Sequence, residues 1–336
     1  MLPPGVSFVA VQWVDLRGRA KARLVPRSAW PATCAPGGGV AVHGGPGREL
    51  VAVPDPSTLL ALPTRPDTAI AHATLYDGDR VAARDARAIL ARVQARAAER
   101  DLLLTAGLRP RFHLQRDATD DGPAPFGEPG DDDPRDDLGV LLRALPLLGT
   151  VVSAAESLDW QVGEIAHMQA PGHFAMVLLE ADALRAADRF TVLRTLVADI
   201  ASGHGVVATF GPGLRVRLSA VDARAFAGGL IDHAHALCAL TTPAGHTETA
   251  VACGPGWVEY RGMDGRANPY LALAALIAAG IDGIDRALEA DAAQSAPAPG
   301  EALDALQADA VLRDALGEDA VREFAAGALS PDLRSS

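Results

Sequence analysis

The chain has 336 residues, with 30 basic and 42 acidic side chains for a formal charge of −12 and only 4% aromatic residues. That length holds two domains or one large one, with a core built from Leu, Val, Ile and Ala. The acidic balance argues against non-specific nucleic-acid or anionic-membrane binding. Cys34, Cys238 and Cys253 are far apart and form no CxxC pair, so neither a disulfide framework nor a zinc site is expected, and a reducing cytoplasm is the simplest compartment. The N-terminal "MLPPGVSFVAVQW" lacks a basic leader region, and the longest apolar run, "LALAALIAAG", is too short to span a bilayer. No targeting segment, membrane segment or nucleic-acid partner is expected.

In chain order, "SFVAVQWV" (7–14) predicts a strand and "KARLVP" (21–26) a second one after the turn at Gly18. "CAPGGGVAVHGGPG" (34–47) is a glycine-rich loop around a short strand. "ELVAVPD" (49–55) and "TAIAHATLY" (68–76) are further strands, the former stopped by Pro54 and Pro56. A small β-rich domain therefore covers residues 1–84. Asp85 then caps a helix over 85–100, with Ile89, Leu90, Val93 and Ala97 on one face. "LRPRFHL" (108–114) reads as a strand. The acidic, Pro- and Gly-rich stretch 117–137 reads as a surface loop. Helices are predicted over 138–148, 181–202, 222–240 and 268–289, and strands over 206–210 and 214–219. Residues 85–290 form the second domain, and 291–336 a linker and helical tail.

Five stretches, in order, resemble the glutamine synthetase family, closest to its branch that joins glutamate to amines such as methylamine. They are "VDLRGRAKARLVP" (14–26), "AVPDPSTL" (52–59), "DALRAADRFTVLRTLVADIASGHGVVATF" (182–210), "AFAGGLIDHAHALCALTTP" (225–243) and "VEYRGMDGRANPYLALAALIAAGIDGI" (258–284). The resemblance implies an α+β fold: a small β-grasp-like N-terminal domain, then a glutamine-synthetase-like domain with a curved antiparallel sheet and helices. It also implies oligomers in which one subunit's N-terminal domain completes its neighbour's site.

The family's reaction needs carboxylates that hold magnesium ions against nucleotide phosphates while a γ-glutamyl phosphate forms. In the resemblance, Arg109 and Arg111 stand where the family has an E-x-E pair. Met168 and Ala175 occupy glutamate positions in "HMQAPGHFAM", where His167 remains and His173 replaces a glutamine. Arg215 and Arg217 replace two histidines in "GLRVRLS". Glu259 and Arg261 match the family's E-x-R. "AGHTETAVACGPG", between Pro243 and Trp257, retains none of the arginines that hold glutamate and phosphate. The N-terminal loop that should carry an acid into the neighbouring site is shortened.

Both arginine pairs are expected to face the old metal cavity and to repel magnesium, because guanidinium stays protonated. No metal or other cofactor is expected; magnesium and ATP would enter only if the chain is an active ligase. Drift onto solvent-facing strand positions would also explain the arginines. Alternatively, Arg109, Arg111, Arg215 and Arg217, with His167 and His173, form a pocket for an anionic small molecule or an acidic partner segment. Glu259 and Arg261 persist as relics of the site or as a salt bridge. Three functions follow: a non-catalytic structural or regulatory subunit in a homo-oligomer or paired with a related enzyme; an ATP-dependent ligase making glutamine or a γ-glutamyl amide; or an ATP-independent enzyme or binder acting on an anionic γ-glutamyl-type molecule.

Overall fold

The computed structural model describes residues 2–45, 47–116, 135–242, 251–289 and 298–328. The first sheet is built from β1 (Phe8–Val14), β2 (Ala20–Pro26), β3 (Val40–His43), β4 (Glu49–Pro54), β5 (Leu60–Leu62), β6 (Arg65–Asp77) and β7 (Arg80–Val81), with a short helix α1 (Trp30–Thr33) after β2. The path runs β2-β1-β6-β4-β3, with β5 and β7 paired along the long β6. β1 lies antiparallel to β2 and parallel to β6. Val9 and Val11 are both fully buried, two residues apart on the inward face of the strand.

α2 (Ala86–Ala98) starts at Asp85, whose carboxylate accepts from the Ala88 N–H at 2.7 Å, the expected cap. The second sheet contains β8 (Thr105–Arg109), β9 (Arg111–Arg116), β10 (Val162–His167), β11 (His173–Asp182), β12 (Val206–Phe210), β13 (Pro212–Ser219), β14 (Val251–Gly254) and β15 (Trp257–Asp264). Its order is β12-β9-β11-β8-β13-β15-β14, with β10 on β11, and all its pairings are antiparallel. The single strand expected over 108–114 is two strands. Pro110 offers no N–H to a ladder, and β8 and β9 each pair with a different part of β11. All of the acidic stretch 117–137 except its last three residues lies outside the described residues; within those three, Asp137 caps the next helix.

α3 (Leu138–Glu156), α4 (Ala183–Gly203), α5 (Ala223–Asp232), α6 (Ala234–Thr241) and α7 (Pro269–Asp285) cover one face of this sheet. α3 runs well past the expected end at residue 148 and carries Pro146 inside it. Among the described residues it is the one helix long and apolar enough to cross a membrane by length and composition; here Val140, Ala144, Leu147, Leu148 and Val151 are buried in the core. The helix expected over 222–240 breaks at His233 into α5 and α6. α5 and α7 cross where Gly229 meets Gly283. A Cβ on Gly229 would lie 2.0 Å from the Ala279 carbonyl, and one on Gly283 2.2 Å from that of Ala225, so only glycine permits the approach.

The C-terminal segment folds into α8 (Pro299–Ala308), α9 (Ala310–Leu316) and α10 (Glu318–Ala328), with Leu306 and Leu312 fully buried against the body. α10 reaches the first sheet: Glu323 pairs with Arg84 at 3.0 Å and Arg48 at 3.3 Å, and the Gly327 carbonyl accepts from Arg17 at 2.6 Å. His233 fastens this segment from below. Its Nδ1 lies 2.6 Å from Asp309, which caps α9, and its Nε2 lies 3.1 Å from Asp282 of α7. Asp232 and Asp282 also share Arg286.

One carboxylate with little exposure ties β6 of the first sheet to the helices α2, α4 and α7. Asp188 on α4 receives Arg87 of α2 through Nε at 3.0 Å and Nη2 at 2.9 Å, and the hydroxyl of the fully buried Tyr270 on α7 at 2.8 Å. His72 of β6 lies 3.9 Å away, and burial holds its ring below its ordinary pKa. Asn268 caps α7 and also donates to the Asp15 carbonyl at 2.9 Å, and Arg194 donates to the Gly18 carbonyl at 2.8 Å. Removing the charge at Asp188 strands Arg87, so Asp188→Asn is expected to cost about 3 kcal/mol in chemical unfolding. Burial opposes a charge on His233, but the hydrogen bonds from Asp309 and Asp282 outweigh it and raise its pKa; both acids lie below their ordinary values. A raised histidine stabilises fully below its unfolded pKa and loses that contribution as pH rises through its folded one. Thermal unfolding should therefore show stability falling as pH rises above the ordinary histidine range, a loss that His233→Gln abolishes.

Candidate functional site

Burial along the second sheet alternates. Leu108, Phe112, Leu114, Leu214, Val216, Leu218, Val258 and Tyr260 point into the helices, and all are buried. Their neighbours Arg109, Arg111, His113, Arg215, Arg217, Trp257, Glu259 and Arg261 occupy the opposite, open face at intermediate or full exposure. The open face therefore carries the five arginines singled out from the sequence.

Register decides which of them meet. Arg215 lies directly opposite Arg109 across β13 and β8, a like-charge pairing that a sheet disfavours. Arg111, on the far side of Pro110, feels both: burial, then Arg215, then Arg109 lower its pKa. Its guanidinium rests on Gly213, which has φ +94°, and a Cβ there would come within 2.7 Å of Arg111 Nη1. Arg217, by contrast, turns away. It stacks over Trp257 at 4.4 Å and lies 4.0 Å from Glu180.

The acids on this face are few and already engaged. Arg109 pairs with Glu164 at 2.8 Å. Glu259 accepts from Arg261 at 2.5 Å and lies 3.9 Å from Arg215. Thr105 donates to Glu180 at 2.9 Å. Arg111 has no acidic partner among the described residues. Glu259 and Arg261 are thus joined as an ion pair.

The two histidines are not brought together. His173 stacks on His113 with ring centroids 4.1 Å apart and planes 9° from parallel, and its Nδ1 lies 3.0 Å from the Pro171 carbonyl. Burial, then His173, lowers the pKa of His113. His167 is in register with Phe174, the residue after His173, so it faces the helix side, 1% exposed, with its ring 5.4 Å from that of Phe174. Ala175 lies opposite Arg111, and Met168 only closes the β10–β11 turn through its backbone. His113, Glu164, Glu180 and Trp257 were missed from sequence. The alternation in "RFHLQR" marks the face of His113, but nothing local announces the cross-strand partners. The three-membered group that could hold a metal ion, Asp232, His233 and Asp282, lies far from this face, and Arg286 already bridges its two acids.

A small sheet with a parallel pair, set against a larger antiparallel sheet backed by helices, defines an α+β class. The chain matches the "Glutamine synthetase, catalytic domain" family over residues 83–216 and 255–330, more than half its length, and belongs to the glutamine synthetase family. It is 28% identical to "Glutamine synthetase" of Rhizobium meliloti (strain 1021) over 83% of this chain and 78% of that protein. It is 27% identical to "Glutamate--methylamine ligase" of Methyloversatilis universalis over 93% of this chain and 89% of that protein. Among solved structures, "Apo GmaS without ligand" superposes with a TM-score of 0.88 at 29% identity, covering 96% of this chain and 92% of that one. "GmaS/ADP complex-Conformation 1" gives 0.89 at 28% identity with the same coverage.

The family implies magnesium and ATP. The donors on the open face fit that pair poorly among the described residues: Glu164, Glu180 and Glu259 each already face an arginine, and Arg111 adds an unpartnered charge. A divalent cation about 5 Å from one guanidinium would be opposed by about 7 kcal/mol at an effective dielectric of about 20. Glu259 is the acid that Arg215 and Arg261 share. Glu259→Gln should therefore lower stability by about 1 kcal/mol in low salt, and denaturation in about 0.5 M NaCl should recover most of the loss.

Proposed function

We propose that the chain is a non-catalytic member of the glutamine synthetase family, serving as a structural or regulatory subunit in an oligomer of its own kind or with a related enzyme. The observation that supports this most is the register of Arg109 against Arg215 with Arg111 close enough to feel both, on the sheet face opposite the helices. Family chemistry needs that face to gather divalent cations and phosphates. The arginines stay charged at every accessible pH, so the repulsion cannot be relieved by losing a proton. The scaffold is maintained around them: the Asp188 cluster, the Asn268 cap and the glycine crossing of α5 and α7 hold the family architecture independently of catalysis.

A second reading, an ATP-dependent ligase making glutamine or a γ-glutamyl amide, is favoured by the names of the relatives and by the ADP complex of the GmaS structure. A third, an ATP-independent enzyme or binder for an anionic γ-glutamyl-type molecule, is favoured by the same arginines. Calorimetric titration of ATP with and without Mg²⁺ separates the first reading from the second. The non-catalytic reading predicts no magnesium-dependent heat; micromolar, magnesium-dependent binding would replace it with the ligase.

A further inference from the structure

We propose that Arg109, Arg111 and Arg215 form a metal-free oxyanion site that takes a phosphate or carboxylate group directly on its guanidinium donors. The proposal rests on the reading that this face does not hold magnesium, and it names what the face holds instead. Three cations converge here with two acids in reach. Glu164 engages only Arg109, at 2.8 Å. Glu259 is 3.9 Å from Arg215 and gives its close contact, 2.5 Å, to Arg261. That leaves Arg111 half-buried, flanked by two like charges and without an acid among the described residues.

A half-buried guanidinium has five N–H donors and cannot discharge, so its open donors are available to an external anion. The arrangement also has a built element. Gly213 holds a left-handed conformation, φ +94°, and its missing side chain leaves the space that Arg111 occupies. The guanidinium is thereby seated against the β12–β13 turn rather than free to swing into solvent. Arg217 stands apart, held on Trp257, and is not part of the site. Planar carboxylates and tetrahedral phosphates both match guanidinium forks, so the shared chemistry is an oxyanion.

The test is calorimetry of the full chain in a chelating buffer, titrated with inorganic phosphate in one arm and glutarate in the other. Binding of either, unchanged by adding Mg²⁺, is the expected result; the tighter arm identifies phosphate or carboxylate as the natural head group. Arg111→Gln should weaken binding about tenfold or more, and Arg111→Lys, which keeps the charge but loses the fork, by less. Arg185→Gln, an exposed change on α4, should bind as the unmodified chain does. Because Arg111→Gln removes a repelled charge, its melting temperature should not fall; if that variant fails to fold, Arg111→Lys carries the comparison. Binding of neither anion, or equal binding by both Arg111 variants and the unmodified chain, overturns the site but leaves the non-catalytic reading standing. Anion binding that requires Mg²⁺ overturns both.

Discussion

Two strands in antiparallel register leave no choice about which side chains face each other. With Leu108 and Val216 committed to the helix layer, Arg109 and Arg215 must lie across from one another on the open side. Slipping either strand by one residue would bury a guanidinium in the core and expose a leucine, so the core enforces the like-charge contact. The consequences spread from there. Glu164 and Glu259 are drawn in as counter-charges, and Arg111 is left without an acid among the described residues.

The contrast with the interior of the same molecule is instructive. At Asp188 a guanidinium and a phenol donate to one carboxylate with an imidazole 3.9 Å away, and four elements are held together. Charge buried in that way is matched. On the open sheet face the arginines outnumber the acids that meet them, and solvent access makes the imbalance tolerable. The proposed non-catalytic role rests on this contrast between a matched interior and an unbalanced face.

Much of the fold was legible because the determining signals are local. The apolar, β-branched run "FVAVQWV" and the Asp85 cap ahead of a helical apolar stripe each act over a few residues. What escaped depends on distant partners. The β10–β11 hairpin lacks clean alternation because it is covered unevenly along its length. The break at Pro110 matters only once two separate stretches of β11 claim the flanking strands. His233 splits a continuous apolar pattern because Asp282 and Asp309, 49 and 76 residues away, hold its ring. The arginine positions on the open face followed from period two; their sorting into a convergent trio and an outlying Arg217 stacked on Trp257 depended on register and on a ring contact across the sheet.

The proposed mismatch between this face and divalent cations can be probed without any nucleotide. Mn²⁺ reports its own binding through loss of the free-ion signal in electron paramagnetic resonance, and it takes the same oxygen donors as magnesium. The charge pattern predicts that the purified chain leaves the Mn²⁺ signal at the intensity of buffer alone throughout a submillimolar titration. A saturable loss of signal that Glu259→Gln abolishes would place a working divalent site among these arginines and contradict the account.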